Sequence, residues 1–205
     1  MPALPLGEIK DTGNSPLPKP SCSPKYIAVG LGTQNYTCNA TTGKYTATGA
    51  LAQLFDATAY LSNNHDKVDS LSHTYYNTYT SLPCSKSPSN CVESDDRCED
   101  QANSHFKPWP LPVLGEHYFT ASGTPTFDLH NARSHPFLFS KKAGDVASPR
   151  SYDVDWLYLS SNGSSENRVI SSVYRVETVG GVQPASCSGT SSIEVPYSAE
   201  YWYYA

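Results

Sequence analysis

The chain has 205 residues and a formal net charge of −5, and only 16% of its residues are charged while 12% are aromatic. This balance excludes wholesale disorder, because disordered chains are rich in charge and poor in aromatic side chains. The 14 lysines and arginines form no basic cluster, so we expect no nucleic-acid partner and no membrane partner. Apolar runs all fall short of the roughly 18 residues that a membrane-spanning helix requires.

The first 24 residues, 1–24, hold many of the prolines and show no periodic pattern, which predicts an extended arm. Met1–Pro5 lacks the basic start and apolar core of a secretory signal, so either the protein is intracellular or a signal has been removed. The cysteines favour the second alternative, because an even set without a Cys-x-x-Cys pair is typical of disulfides. They are Cys22, Cys38, Cys84, Cys91, Cys98 and Cys187. We therefore expect a secreted, extracellular protein.

Segments rich in β-branched and aromatic residues follow the arm and predict strands at Tyr26–Gly32 and Gln34–Asn39, with Lys44–Thr48 as a further candidate. In the second segment, a period of two separates the side chains into two faces. The face expected to point inward carries Gln34, Tyr36 and Cys38. A buried amide needs hydrogen-bond partners, so Gln34 is held either by an internal network or by a polar ligand.

Three Asn-x-Ser/Thr sequons begin at Asn35, Asn39 and Asn162, and these are the predicted glycosylation sites. Asn35 and Asn39 fall on the face of their strand that is expected to meet water. Glycans at these positions would agree with a secreted protein.

A short helix is predicted at Leu51–Leu61, because Leu51, Leu54, Phe55 and Leu61 fit a helical stripe better than strict alternation. The chain then turns polar over about residues 62–110, where three of the cysteines are equally spaced. So many polar residues cannot build a core, and this stretch is therefore expected to be a long disulfide-stapled insertion.

Short strand-like segments dominate the second half. They are Glu116–Thr120, Thr126–His130, Pro136–Phe139, Asp153–Leu159, Arg168–Thr178 and Ile193–Tyr203. Because no long helices separate them, the pattern predicts an all-β fold: a single antiparallel β-sandwich or barrel, residues 25–205, with one short helix. We expect a monomer.

Several segments, in this order and spacing, resemble a family of small secreted, mostly fungal proteins that is classed as a domain of unknown function. The segments are Val29–Cys38, Leu54–Ala57, His117–Phe119, Val154–Leu157, Tyr174–Gly181 and Val195–Tyr204. The resemblance runs from about Tyr26 to the C-terminus and implies a secreted single domain without an established activity. It also favours a Cys38–Cys187 disulfide, because both cysteines lie in or beside these segments, with one local pair in the insertion and its third cysteine bonded to Cys22.

Members of that family are sometimes labelled malate dehydrogenase, and the residues argue against this label. Gly30-Leu31-Gly32 lacks the third glycine of the dinucleotide fingerprint, and a strand-like segment follows where a phosphate-binding helix should begin. The chain is also too short for a nucleotide domain plus a substrate domain. We expect no NAD or other cofactor.

Catalytic patterns are weak in this sequence. It contains no Gly-x-Ser-x-Gly elbow, the motif that presents a nucleophilic serine.

The histidines could form a metal site. His117, His130 and His135, with Asp128, could converge on a metal ion, but solvated or hydrogen-bonded histidines are the commoner outcome, so we expect no metal site. Paired carboxylates for glycoside hydrolysis could come from Asp153, Asp155, Glu177 or Glu200, although strand carboxylates are usually solvated or ion-paired.

Four side chains are the candidate ligand-binding residues: Gln34, Tyr36, His117 and Trp156. The first three would line a pocket, and the indole could stack on a sugar ring. We therefore expect a secreted, non-catalytic binding or surface-associated protein, with a polysaccharide or cell-wall glycan as ligand. The alternative is a secreted hydrolase or metal-dependent enzyme whose pocket lies around Gln34, Tyr36 and His117.

Overall fold

In the computed structural model, which describes residues 1–9, 17–81, 111–164 and 169–205, eight antiparallel strands form one closed barrel. The strands are β1 (Tyr26–Asn39), β2 (Lys44–Asp56), β3 (Val113–Phe119), β4 (Pro125–Asp128), β5 (Phe137–Val146), β6 (Trp156–Ser161), β7 (Ser172–Gly180) and β8 (Ser192–Tyr204). The helices are α1 (Thr58–Asn63) and α2 (Leu71–Ser81), with 3₁₀ turns at Leu6–Glu8 and His65–Lys67. The all-β prediction is confirmed, and the architecture is the barrel rather than the sandwich.

The barrel is a meander, because each strand pairs with the next one along the chain and β8 pairs with β1. In this closing pair, Tyr26 lies opposite Tyr203 and Thr37 lies opposite Ser192. Closure removes the two edges that an open sheet of the same strands would expose to other chains.

The barrel has an apolar core on each side of its wall, and the outer one lies where the helices pack on β1, β7 and β8. The inner core fills the barrel with Ala28, Ala50, Ala52, Leu54, Leu114, Phe127, Leu129, Ala132, Leu138, Leu159, Ile170, Val173, Tyr197, Ala199, Tyr201 and Tyr203. The outer core lies between the wall and the helices and comprises Leu17, Ile27, Val29, Leu31, Phe55, Ala57, Leu61, Val68, Leu71, Tyr75, Val146, Trp156, Tyr174, Val176, Trp202 and Tyr204. The two faces of β8 are both aromatic because each of them packs into a core.

The predicted helix at Leu51–Leu61 is wrong over its first half. Strand β2 continues to Asp56, and α1 begins only at Thr58. Leu54 points into the inner core, while Phe55 packs on the outer core with its ring centroid 5.4 Å from that of Tyr75. Apolar residues on both faces of a strand imitate a helical stripe, which is why the pattern misled.

The polar stretch at about residues 62–110, which was expected to contribute nothing to a core, contains α2. Leu71 and Tyr75, four residues apart on one face of this helix, are 5% and 1% exposed in the outer core. Residues 82–110, and with them Cys84, Cys91 and Cys98, lie outside the described residues, so the pairing of these cysteines stays a prediction. No helix in the described ranges is long and apolar enough to cross a membrane.

The two glycines of the dinucleotide-like motif lie inside β1, where they allow close packing. A Cβ atom on Gly30 would stand 2.5 Å from the Tyr201 ring, and one on Gly32 would stand 1.9 Å from the Leu51 carbonyl oxygen. The chain continues as strand to Asn39 and enters no helix there. These glycines therefore serve the tight contacts of the barrel wall.

The predicted Cys38–Cys187 disulfide is present, with the two Cα atoms 5.8 Å apart. It ties the end of β1 to the loop before β8, where the Cys187 amide also donates to the Gly43 carbonyl at 2.9 Å. Cys22 is exposed and has no disulfide partner among the described residues. Its expected partner belongs to the part of the insertion that is not described.

Parts of the N-terminal arm pack on the barrel. Leu4, Leu6 and Ile9 contact the outer core, and Leu17 is buried in it. The Tyr174 hydroxyl donates to the Pro18 carbonyl at 2.8 Å. The arm thus covers apolar surface of the wall that would otherwise face water.

Candidate functional site

Three of the four predicted ligand-binding residues lie inside the barrel. Gln34 and Tyr36 are 9% and 5% exposed, and His117 is 4% exposed. The Tyr36 hydroxyl donates to the Gly181 carbonyl at 2.7 Å. The alternation predicted for β1 is therefore correct at these positions, and the three side chains belong to a buried polar layer.

Arg175 of β7 is the charged member of this layer. Its Nη2 donates to the Asp155 carbonyl at 2.8 Å, and its Nη1 donates to Gln34 Oε1 at 3.4 Å. Gln34 Nε2 has no hydrogen-bond partner in the described structure. Nearby, the Tyr197 and Tyr201 hydroxyls share a hydrogen bond of 2.7 Å. An internal network thus holds one end of the Gln34 amide and leaves the other unpaired.

His117 of β3 is enclosed by aromatic rings. It stacks on Phe127 with centroids 4.2 Å apart, and the Tyr201 ring lies 5.8 Å away. Its Nδ1 lies 2.8 Å from the Thr126 carbonyl, and because a carbonyl only accepts, this nitrogen carries the proton. Burial, opposed by the hydrogen bond to Thr126 and aided by the charge of Arg175, lowers the pKa of His117 to about 4. The imidazole is therefore neutral near pH 7.

Trp156, the fourth predicted residue, lies on the opposite side of the wall. It is completely buried in the outer core, and its Nε1 has no hydrogen-bond partner among the described residues. The structure therefore does not bring it together with Gln34, Tyr36 and His117. Because its ring faces no solvent, it offers no stacking surface.

A groove of about 530 Å³ runs along the outer wall where α2 ends, and sequence reasoning missed it. Its lining combines apolar and polar residues from β1, β2, β3, β8 and α2, together with His130 from the loop after β4. The lining residues are Leu31, Gly32, Thr33, Leu51, Ala52, Gln53, Phe55, Tyr79, Val113, Gly115, Glu116, His130 and Glu194. None of the four predicted residues is among them.

The strand register places the polar rim of the groove. Gln53 of β2 lies opposite Glu116 of β3, and Glu116 lies opposite Asp128 of β4, so one row of acceptors crosses three strands. Tyr79 of α2 and Glu194 of β8 also line the groove. Burial, and then the charge of Glu194, raise the pKa of the Tyr79 phenol. Leu51, which is 54% exposed, adds an apolar surface.

Glu116, Asp128 and His130 form a cluster at this rim. One ligand atom from each of the three lies within 4.8 Å of the other two, and His130 Nδ1 stands 3.7 Å from Asp128 Oδ1. Carboxylate and imidazole together could hold a divalent metal ion. Of the histidines considered in the sequence, His130 joins this cluster, whereas His117 points into the barrel. The position of Glu116 at this rim could be predicted from strand alternation only if β2 and β3 were already known to be neighbours.

The other carboxylates considered for catalysis have different surroundings. Asp153 is bound to Arg150, with Oδ2 2.6 Å from Nε, and Asp155 is exposed. Glu177 and Glu200 are 1% and 0% exposed. None of the four lines the groove.

The predicted glycosylation sites lie at or near the surface. Asn39 and Asn162 are exposed, and Asn35 is half-buried. Asn39 Oδ1 accepts from the Thr41 amide at 3.0 Å, and Asn162 Oδ1 accepts from the Ser164 amide at 2.9 Å. Whether glycans are attached stays a prediction.

Comparison with known proteins identifies a family. A family model described as "Protein of unknown function (DUF3455)" matches residues 18–205. No curated protein and no solved structure matches the chain.

Proposed function

The chain belongs to the family described as "Protein of unknown function (DUF3455)", and from that premise we propose that it is a secreted, non-catalytic binding protein whose groove holds a polysaccharide segment. The family description states no activity, so the proposal rests on the groove. The Cys38–Cys187 disulfide supports secretion, because disulfides persist in oxidising compartments.

The observation that carries the proposal is the pairing of apolar and acceptor surfaces in one groove of about 530 Å³. A sugar ring presents an apolar C–H face and a rim of hydroxyl groups, and amphipathic rings such as that of Tyr79 suit the former. Glu116, Glu194 and Gln53 supply acceptors for the hydroxyl groups. The volume lies within the usual range for small-ligand sites. With a net charge of −5, the chain favours a neutral glycan such as chitin, β-glucan or cellulose.

Retention on insoluble chitin, β-glucan and cellulose tests this proposal, followed by calorimetry with oligosaccharides of the retained polymer. We expect Leu51→Lys, which places a long side chain in the groove from an exposed position, to abolish retention. Tyr79→Ala should weaken binding about tenfold, as the loss of one stacked ring does. The matched control is Tyr152→Ala, because Tyr152 is 66% exposed and does not line the groove. Absence of retention on all three polymers, or retention unaffected by Leu51→Lys, would refute the proposal.

A second candidate, a hydrolase, is favoured by the separation of Glu116 and Asp128. Their carboxylate oxygens lie within 4.8 Å, close to the separation of about 5 Å that retaining glycoside hydrolases use. The same incubations separate the two functions, because a hydrolase releases reducing ends and a binding protein does not. Loss of that release in Glu116→Gln would assign the reaction to this pair.

A further inference from the structure

A second group of carboxylates lies apart from the groove, where three elements meet. Glu8 comes from the 3₁₀ turn in the arm, Asp69 from the loop before α2, and Glu177 from β7. One carboxylate oxygen from each of the three lies within 4.8 Å of the others. Oxygens bound to one Ca²⁺ at 2.3–2.6 Å can be up to about 5 Å apart, so this spacing fits a single ion.

Glu177 is aimed into this group from inside the protein. It occupies a β-bulge between Val176 and Val179, and its φ of 46° is rare for a residue other than glycine. The side chain is 1% exposed, and its Oε1 has no hydrogen-bond partner in the described structure. Burial, and then Glu8 and Asp69, raise the pKa of Glu177 to about 8. A buried carboxyl with an unpaired oxygen, facing two more carboxylates, requires a proton or a cation.

Glu200 of β8 adds a second buried carboxyl. It is fully buried, Trp202 Nε1 donates to its Oε2 at 2.9 Å, and its Oε1 has no partner among the described residues. Burial raises the pKa of Glu200 well above its usual value, and the charges of Glu177 and Asp69 raise it further. The clustered carboxylates therefore act on a second buried carboxyl, that of Glu200.

A basic group, Arg150, acts on this cluster but is shared. Arg150 acts on both Glu8 and Glu177, and it lowers the pKa of each. Its guanidinium is already engaged, because Nε donates to Asp153 Oδ2 at 2.6 Å and Nη2 donates to the Thr178 carbonyl at 3.1 Å. One shared arginine therefore faces several carboxylates.

We propose that Glu8, Asp69 and Glu177 bind a calcium ion that ties the N-terminal arm and the loop before α2 to the barrel. The ligand set is entirely oxygen and anionic, which suits a hard cation and offers no nitrogen or sulfur to Zn²⁺ or Cu²⁺. Exposed Glu8 and Asp69 give the ion access from solvent, whereas Glu177 anchors it to the fold. The site shares no residue with the groove and does not depend on glycan binding.

Calorimetric titration of the full-length, chelator-treated protein with CaCl₂ at pH 8 tests the site. We expect one ion per chain with a Kd at or below about 1 mM, the range of extracellular calcium modules, and a higher melting temperature when the ion is bound. Asp69→Asn and Glu177→Gln should each weaken binding at least tenfold. The matched control is Asp66→Asn, because Asp66 is also an exposed carboxylate, three residues away in the preceding 3₁₀ turn, but is paired with Lys67 at 3.1 Å.

Asp69 is exposed, so Asp69→Asn decides the question even if Glu177→Gln does not fold. Absence of stoichiometric binding at 5 mM CaCl₂, a concentration about five times that upper Kd, would overturn the proposal. So would unchanged affinity in Asp69→Asn, or an equal loss in Asp66→Asn. Because glycan binding is assayed separately, failure of the calcium site and failure of the groove are distinguishable.

Discussion

At the scale of single residues, His117 shows how a polar side chain becomes part of the barrel interior. Its imidazole lies between Phe127 and Tyr201 and is bound to the Thr126 carbonyl. Strand alternation alone places His117 on the same face as Phe119. It could not show which rings would surround the imidazole, because Tyr201 lies 84 residues further along the chain.

The low pKa of His117 makes the free energy of unfolding depend on pH. The folded state holds this pKa near 4, whereas the unfolded chain takes up the proton near 6.5. His117 therefore stabilises the fold above pH 6.5, and this contribution is lost as the pH falls towards 4. The lost part reaches about 3 kcal/mol. Urea unfolding at pH 7, 5.5 and 4 measures it.

His117→Gln, which keeps an amide donor for the Thr126 carbonyl, should remove this part of the acid dependence. The control is His130→Gln, because His130 is exposed and should leave the dependence intact. Equal pH profiles for the wild type and His117→Gln would contradict the assignment.

At the scale of elements, sequence periodicity mistook part of strand β2 for a helix at Leu51–Leu61 and did not reveal helix α2. Sequence periodicity identifies a strand when one face is apolar and the other polar. In β2, Leu54 enters the inner core and Phe55 enters the outer core, so the alternation disappears. Helix α2 was not predicted because only a few apolar side chains on one of its faces join the core. Leu71 and Tyr75 are among them. Each predicted strand of the second half overlaps an observed one, but the ends differ, and β5 continues to Val146 instead of ending at Phe139.

The contact of β1 with β2 depends on Gly32. We expect Gly32→Ala to destabilise the protein by about 3 kcal/mol or more, because the new methyl group would stand 1.9 Å from a backbone oxygen that cannot rotate away. Urea unfolding of the purified variant measures the loss. Gly7→Ala is the control, since a Cβ there meets nothing within 4 Å. Wild-type stability in Gly32→Ala would contradict this expectation, because β1 and β2 would then be able to move apart without lowering the free energy of unfolding.

At the scale of the whole molecule, the disulfide links two distant parts of the chain. Cys38 and Cys187 are 149 residues apart, so their bond restricts the unfolded chain strongly. Replacing both by alanine should lower the free energy of unfolding by about 2–5 kcal/mol. Chemical denaturation of the oxidised wild type and the double variant measures this difference. A double variant as stable as the oxidised wild type would contradict the expectation.

The sequence predicted part of the candidate site but not the groove. Period two correctly directed Gln34 and Tyr36 into the barrel, because that prediction needs only one strand. The groove needs four strands and a helix end in known positions. Glu116 and Glu194 come together only after the barrel closes.

Closure of the barrel by β8 also determines the order of events during synthesis. The Thr37 and Ser192 hydroxyls, which are hydrogen-bonded at 3.0 Å in the closing pair, are 155 residues apart. Until β8 leaves the ribosome, β1 has one unpaired edge, and the inner core lacks Tyr197, Tyr201 and Tyr203. Contacts between such distant segments form slowly. Until β8 can pair, the chain exposes the free edge of β1 and part of the apolar inner core, and both features favour aggregation.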